Sequence, residues 1–157
     1  MTTSKDANNG VRCAVRGGRH SRHVLRQVHP SVSALATVLI VDDHPAIRRA
    51  LRAAFERQPG FKVCGEAEDG FDAIVKAKKL YPDLIVLDLR MPVMDGLEAA
   101  RSLKKIMPNV PLMMLTCYHS SAAEKEALAS GVTAVFSKPD GMQNLIWKAR
   151  AVLNPAC

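Results

Sequence analysis

The chain changes character near residue 37. Before it, Asn8-Asn9 and Gly17-Gly18 stand among scattered Arg and His with no sustained apolar period. That pattern describes a disordered or weakly ordered segment. Beyond it, short apolar runs alternate with stretches at helical spacing. Thr37–Val41, Phe61–Ala67, Leu84–Leu87, Pro111–Leu115 and Val132–Phe136 read as strands. The continuous apolar run Thr37–Val41 and the run Leu84–Leu87 suit strands buried on both faces. A helix is expected over His44–Gln58, with Pro45 in its first turn and Ile47, Ala50, Leu51, Ala54 and Phe55 at helical spacing. Pro59-Gly60 stops it. Asp69 can cap a helix burying Phe71, Ile74, Ala77, Leu80 and Tyr81, which Pro82-Asp83 breaks. Asp95 and Glu98 stand at capping-box spacing before a helix reaching Met107, and Ser121 and Glu124 repeat the pattern before a helix ending at Gly131. Asp140 opens a last helix with Met142, Leu145, Ile146, Ala149, Val152 and Leu153 on one face.

Five strands alternating with five helices predict an α/β domain, a five-stranded parallel sheet doubly wound by helices on both faces. Right-handed crossovers narrow the topology. In such folds the ligand site lies at the carboxyl ends of the strands, so the polar residues ending the strands should converge.

Composition alters this picture little. Residues 1–36 hold Lys5, Arg12, Arg16, Arg19, Arg22 and Arg26 against Asp6, a net of +5 that leaves only +2 of the formal +7 for the rest. The chain thus reads as a basic N-terminal segment, 1–36, followed by one domain over 37–157. The segment's charge would attract nucleic acid, anionic lipid or an acidic partner, but it has no aromatic residue for base stacking. Cys13, Cys64, Cys117 and Cys157 have no zinc or redox-motif spacing. No run reaches transmembrane length, and no signal-peptide pattern is present. A cytoplasmic protein without membrane partners is expected.

The strand ends carry the chemistry. The first strand ends in Asp42 and Asp43, the third in Asp88, the fourth in Thr116, and the fifth is followed by Lys138. Each pair of carboxylates brought to roughly 4 Å costs about 4 kcal/mol at an effective dielectric of 20. Lys138 offsets part of that, and Mg²⁺, which prefers oxygen ligands, suits the rest. A carboxylate beside Mg²⁺ and a lysine can attack a phosphoryl group. Asp95 is read as a helix cap and His44 as the residue before a helix-starting Pro. An aspartyl-nucleophile hydrolase would place a second aspartate two residues after the nucleophile, where this chain has Arg90.

The segments Leu39-Ile40-Val41-Asp42-Asp43-His44-Pro45 and Val86-Leu87-Asp88-Leu89-Arg90-Met91-Pro92-Val93-Met94-Asp95-Gly96, with Leu115-Thr116 and Lys138-Pro139, resemble the receiver domain of two-component response regulators. The resemblance runs over about residues 37–153 and is nearest to receivers of the NarL/FixJ type. It implies a CheY-like strand order of 2-1-3-4-5. It implies that Asp88 is the phosphoacceptor, that Asp42, Asp43, Asp88 and the Arg90 backbone carbonyl hold Mg²⁺ with Asp43 a direct ligand, and that Thr116 and Lys138 engage the phosphoryl group. It also implies a cis Lys138–Pro139 bond. Two departures stand out. Val135 occupies the position of the family's usual aromatic switch, and strand alternation turns Phe136 to the other face; Tyr118 is a candidate substitute. The chain ends at Cys157, directly after the fifth helix. The resulting expectation is a stand-alone receiver acting by phosphorylation-dependent protein–protein interaction, or alternatively a phosphorelay shuttle passing the phosphoryl group to a histidine phosphotransfer protein. It is not an enzyme beyond its own phosphorylation and slow dephosphorylation. Its partners would be a sensor histidine kinase or histidine phosphotransfer protein and a downstream protein, with a phosphorylation-dependent dimer possible and no DNA-binding domain.

Overall fold

The computed structural model describes residues 34–154. Most of the expected N-terminal segment, together with Cys13 and Cys157, lies outside the described residues. The elements run β1 (Ala36–Val41), α1 (Pro45–Glu56), β2 (Phe61–Ala67), α2 (Gly70–Leu80), β3 (Leu84–Asp88), α3 (Gly96–Ile106), β4 (Leu112–Thr116), α4 (Ser121–Ala129), β5 (Ala134–Ser137), a one-turn 3-10 helix (Lys138–Asp140) and α5 (Met142–Leu153). The sheet has the order β2-β1-β3-β4-β5 with every pairing parallel, as expected.

Strand alternation splits the core in two. Leu39, Val41, Ile85, Leu87, Leu112, Met114 and Val135 meet α2 and α3 through Ala73, Ala77, Ala99, Ala100 and Leu103, and α4 through Ala127. The intervening residues Val38, Ile40, Leu84, Val86, Met113, Leu115 and Phe136 meet α1 and α5 through Leu51, Phe55, Leu145, Ile146 and Ala149. Burying each Leu, Ile or Phe contributes roughly 1.5–3 kcal/mol, so both faces hold the sheet. Val135 and Phe136 do face opposite sides.

Val38 pairs with Val63, but Leu39 pairs with Gly65, so Cys64 is an extra residue in β2. Phe61 and Val63 pack on the α1 side. Beyond the bulge Ala67 packs on the α2 side, and Glu66 consequently turns toward α1. A bulge re-aims the side chains that follow it in this way.

Several local expectations change. Phe71 and Tyr81 are exposed, at 62% and 77%. The face that α2 buries is Gly70, Ala73 and Ala77, small residues that admit close approach of α3, and Phe71 lies one position off that stripe. Tyr81 is the left-handed C-cap of α2, at φ 49°. The cap of α4 is Ser120, whose hydroxyl accepts the Ala123 amide at 3.1 Å, rather than Ser121. The Asp69 and Asp95 caps are present, accepting the amides of Asp72 and Glu98. Asp140 does not cap α5, which starts after Gly141. No cis peptide occurs among the described residues. Lys138–Pro139 is trans, and Pro139 stands instead in the first turn of the 3-10 helix.

Candidate functional site

Register builds the site. Val41 pairs with Leu87, so Asp42 and Asp88 each stand one step past a paired position on adjacent strands. Asp88 pairs with Leu115, Thr116 pairs with Ser137, and Lys138 follows. The expected convergence of polar strand ends therefore occurs for Asp42, Asp88, Thr116 and Lys138. Asp42, Asp88 and Thr116 are buried at 0%, 5% and 5% exposure.

Lys138 ties two strands together. Its Nζ lies 2.8 Å from Asp42 Oδ2 and 2.7 Å from Asp88 Oδ1. Burial opposes its charge, but hydrogen bonds to Asp42 and Asp88 outweigh it and raise its pKa. Burial raises the Asp88 carboxyl, repulsion from Asp42 and Asp43 adds to it, and Lys138 offsets only part. A carboxylate held short of comfortable ionisation in a partly open cleft is a common signature of chemistry.

Each Asp42 oxygen has a hydrogen-bond partner. Oδ1 accepts the His44 amide at 2.9 Å, Oδ2 accepts Lys138, and its backbone carbonyl accepts Arg48 Nη1 at 2.7 Å. Asp43 Oδ1 lies 2.9 Å from His44 Nδ1. Asp42, Asp43 and His44 present ligand atoms within 4.8 Å of one another. The oxygens left uncommitted are one each on Asp43 and Asp88. An acidic set of this kind suits a hard cation that keeps several waters, so the donor chemistry fits Mg²⁺, which Asp43 and Asp88, with Asp42 beside them, could hold. His44 belongs to this cluster by geometry, although sequence spacing assigned it only to the helix start.

A cleft of about 190 Å³ opens onto the site between His44, Asp88, Arg90, Thr116, Tyr118 and Lys138. Arg90 lines it, as does the exposed Cys117. The Thr116 hydroxyl donates to the Tyr118 carbonyl at 2.9 Å and accepts the Tyr118 amide at 3.1 Å. The Tyr118 side chain is 83% exposed. His119 Nε2 lies 3.3 Å from a Glu124 carboxylate oxygen. The chain below Asp88 is closely packed: a Cβ on Gly96 would stand 2.3 Å from the Asp88 carbonyl oxygen. Glycine is required there by contact rather than by an unusual dihedral.

Among the described residues no helix is long and apolar enough to cross a membrane. The response regulator receiver domain family matches residues 38–150. A putative transcriptional regulator of Pseudomonas aeruginosa is 40% identical over 119 residues, which is 76% of this chain and 57% of that protein. The response regulator protein VraR of Staphylococcus saprophyticus is 39% identical over 117 residues, 74% of this chain and 56% of that protein. The response regulator domain of Thermotoga maritima CheB superposes with a TM-score of 0.71 at 32% identity, over 76% of this chain and 97% of that domain. These relatives correct one expectation. Partners without a DNA-binding domain were inferred from the end at Cys157, yet transcriptional regulators are among the relatives, and the chain spans little more than half the length of the two curated ones. Ending after α5 is therefore no argument against a DNA-binding output. With the strand order, the converged strand ends and the match over 38–150 together, the chain belongs to the response regulator receiver domain family of two-component systems.

Proposed function

We propose that Asp88 accepts a phosphoryl group from the phosphohistidine of a sensor kinase or phosphotransfer protein and that the phosphorylated receiver controls a transcriptional output from the cytoplasm. The observation that carries this reading is Lys138 bridging Asp42 and Asp88 while one Asp88 oxygen remains uncommitted beside the cleft. One Asp88 carboxylate oxygen attacks phosphorus, the P–N bond breaks, and the imidazole leaves with the bonding pair and takes up a proton; the other oxygen stays with Lys138 and would be the one offered to the metal. Lys138 stays paired with the carboxylate and faces the incoming phosphoryl oxygens. Asp43, Asp88 and the Arg90 carbonyl would hold Mg²⁺, which supplies charge neutralisation on the transferring oxygens. The chain's own chemistry is limited to accepting and slowly losing this group.

The product adds a charge of about −1.5 to −2 at Asp88. Thr116 can donate its one proton either to Tyr118 or to the phosphoryl group. Turning to the phosphoryl group releases the Tyr118 carbonyl and frees the loop before α4. This change runs through the backbone of residue 118 and not through its aromatic ring, which is already exposed. The transcriptional output draws support from the relatives, one of which is named a transcriptional regulator. Incubation with acetyl phosphate and Mg²⁺ tests the assignment: the wild-type protein takes up label and Asp88→Asn does not. Equal labelling of the two proteins would sink it.

A further inference from the structure

Arg48 lies outside the residues that would touch phosphate or metal, yet it holds the residue on which they depend. Asp42 stands just beyond β1, where its amide is still tied to Ala67 at 3.1 Å but its carbonyl has left the sheet ladder. Arg48 Nη1, from the first turns of α1, supplies the missing donor at 2.7 Å. The orientation of that carbonyl is the orientation of the Asp42–Asp43 peptide, and so it sets where the Asp43 carboxylate starts from.

Arg48 is itself held. Its Nε lies 3.3 Å from Glu66 Oε2, and the other Glu66 oxygen accepts Arg52 Nε. Arg52 also pairs with Glu56 at 2.8 Å. The Arg48 side chain is only 16% exposed. Glu66 faces α1 because of the bulge at Cys64; with regular alternation after Val63 it would point toward α2. The irregularity in β2 thus has a result at the site.

We propose that Arg48, clamped by Glu66, is a positioning residue for divalent-cation binding, fixing the Asp42–Asp43 peptide so that Asp43 meets the metal. This rests on the Mg²⁺ assignment made above. Groups that orient metal ligands from behind typically matter about 10–100-fold in affinity. The sign of the effect separates positioning from simple charge. Arg48 is a cation beside a cation site, so by Coulomb repulsion alone its removal would tighten Mg²⁺ binding. Positioning demands the opposite.

The test is titration of the full chain with Mg²⁺ alone, by calorimetry or amide chemical shifts, with thermal unfolding measured alongside. Arg48→Met is expected to weaken Mg²⁺ binding about tenfold, and Arg48→Lys, which keeps a donor, to recover part of that loss. Equal or tighter binding by Arg48→Met overturns the proposal. Arg48→Lys keeps the charge and decides the matter if Arg48→Met fails to fold: binding weaker than wild type supports positioning, and unchanged binding overturns it. Asp43→Asn reads the underlying assignment separately. Loss of binding upholds it, whereas retention removes the metal site and this proposal with it.

Discussion

The two corners flanking the cleft are built differently. At the β1–α1 corner, Asp42 is fully buried, with both carboxylate oxygens and its carbonyl engaged by His44, Lys138 and Arg48. At the β4–α4 corner, Cys117 and Tyr118 are exposed, and Thr116 is tied by a pair of hydrogen bonds to Tyr118. The helices behind them differ likewise. Helix α3, under the phosphoacceptor, buries Gly96, Ala99, Ala100 and Leu103, whereas α4 buries only Ala127. Segments with few buried contacts open at low free-energy cost, and switching elements are drawn from them. Chemistry therefore sits on the over-determined side and readout on the loosely held side.

The comparison can be broken most forcefully in the core. Leu103→Ala on α3 should cost about 3 kcal/mol, because the residue is fully buried. Leu128→Ala on α4 should cost less than about 0.5 kcal/mol, since Leu128 is 47% exposed. Chemical denaturation of both variants checks this, and similar losses would mean that α4 is as firmly packed as α3.

Gly96→Ala should come next. The added methyl must displace the Asp88 carbonyl, an overpacking cost of about 1–3 kcal/mol. Phosphoryl uptake should fall even in the molecules that remain folded, and uptake per folded molecule is the quantity to measure. Removing the α3 cap with Asp95→Ala, which loses the bond to the Glu98 amide, should cost about 1 kcal/mol and leave uptake nearly intact.

Acid sharpens the picture within the chemical corner. Glu66 is held below its ordinary value because Arg52 and Arg48 together outweigh burial. Its contribution to stability is present above the ordinary glutamate value and is lost as pH falls through its lower, folded one. Asp88 has the opposite sign. Burial raises its carboxyl, so ionised Asp88 opposes folding and the penalty is relieved as pH falls through its raised value. Without metal, Asp88→Asn should be more stable than wild type at neutral pH, with the advantage shrinking in acid. Unfolding midpoints measured across that range test the sign.

Much of this was legible in the sequence. Apolar runs at Thr37–Val41 and Leu84–Leu87 announced strands buried on both faces, and the acids directly after both announced the site, because a parallel sheet brings its carboxyl ends together. Phe71 and Tyr81 misled because the fully buried positions of α2 are Gly70, Ala73 and Ala77, whose apolar signal is faint, while the expected Ile74 and Leu80 do pack against the core, partly buried. Ser120 and Ser121 differ by one residue, and either could cap. The Arg48–Glu66 clamp was invisible because it depends on an extra residue in β2, and register is a property of the pair of strands, not of either sequence.

The contrast between the corners meets its most direct test in hydrogen exchange, with and without acetyl phosphate and Mg²⁺, on wild type and Asp88→Asn. In the wild type, exchange should change from Thr116 through α4, while the hydrogen-bonded amides of Asp42, His44 and Arg48 stay protected throughout; in Asp88→Asn neither region should respond. A response in Asp88→Asn equal to wild type, or a wild-type response confined to the β1–α1 corner, would contradict the account.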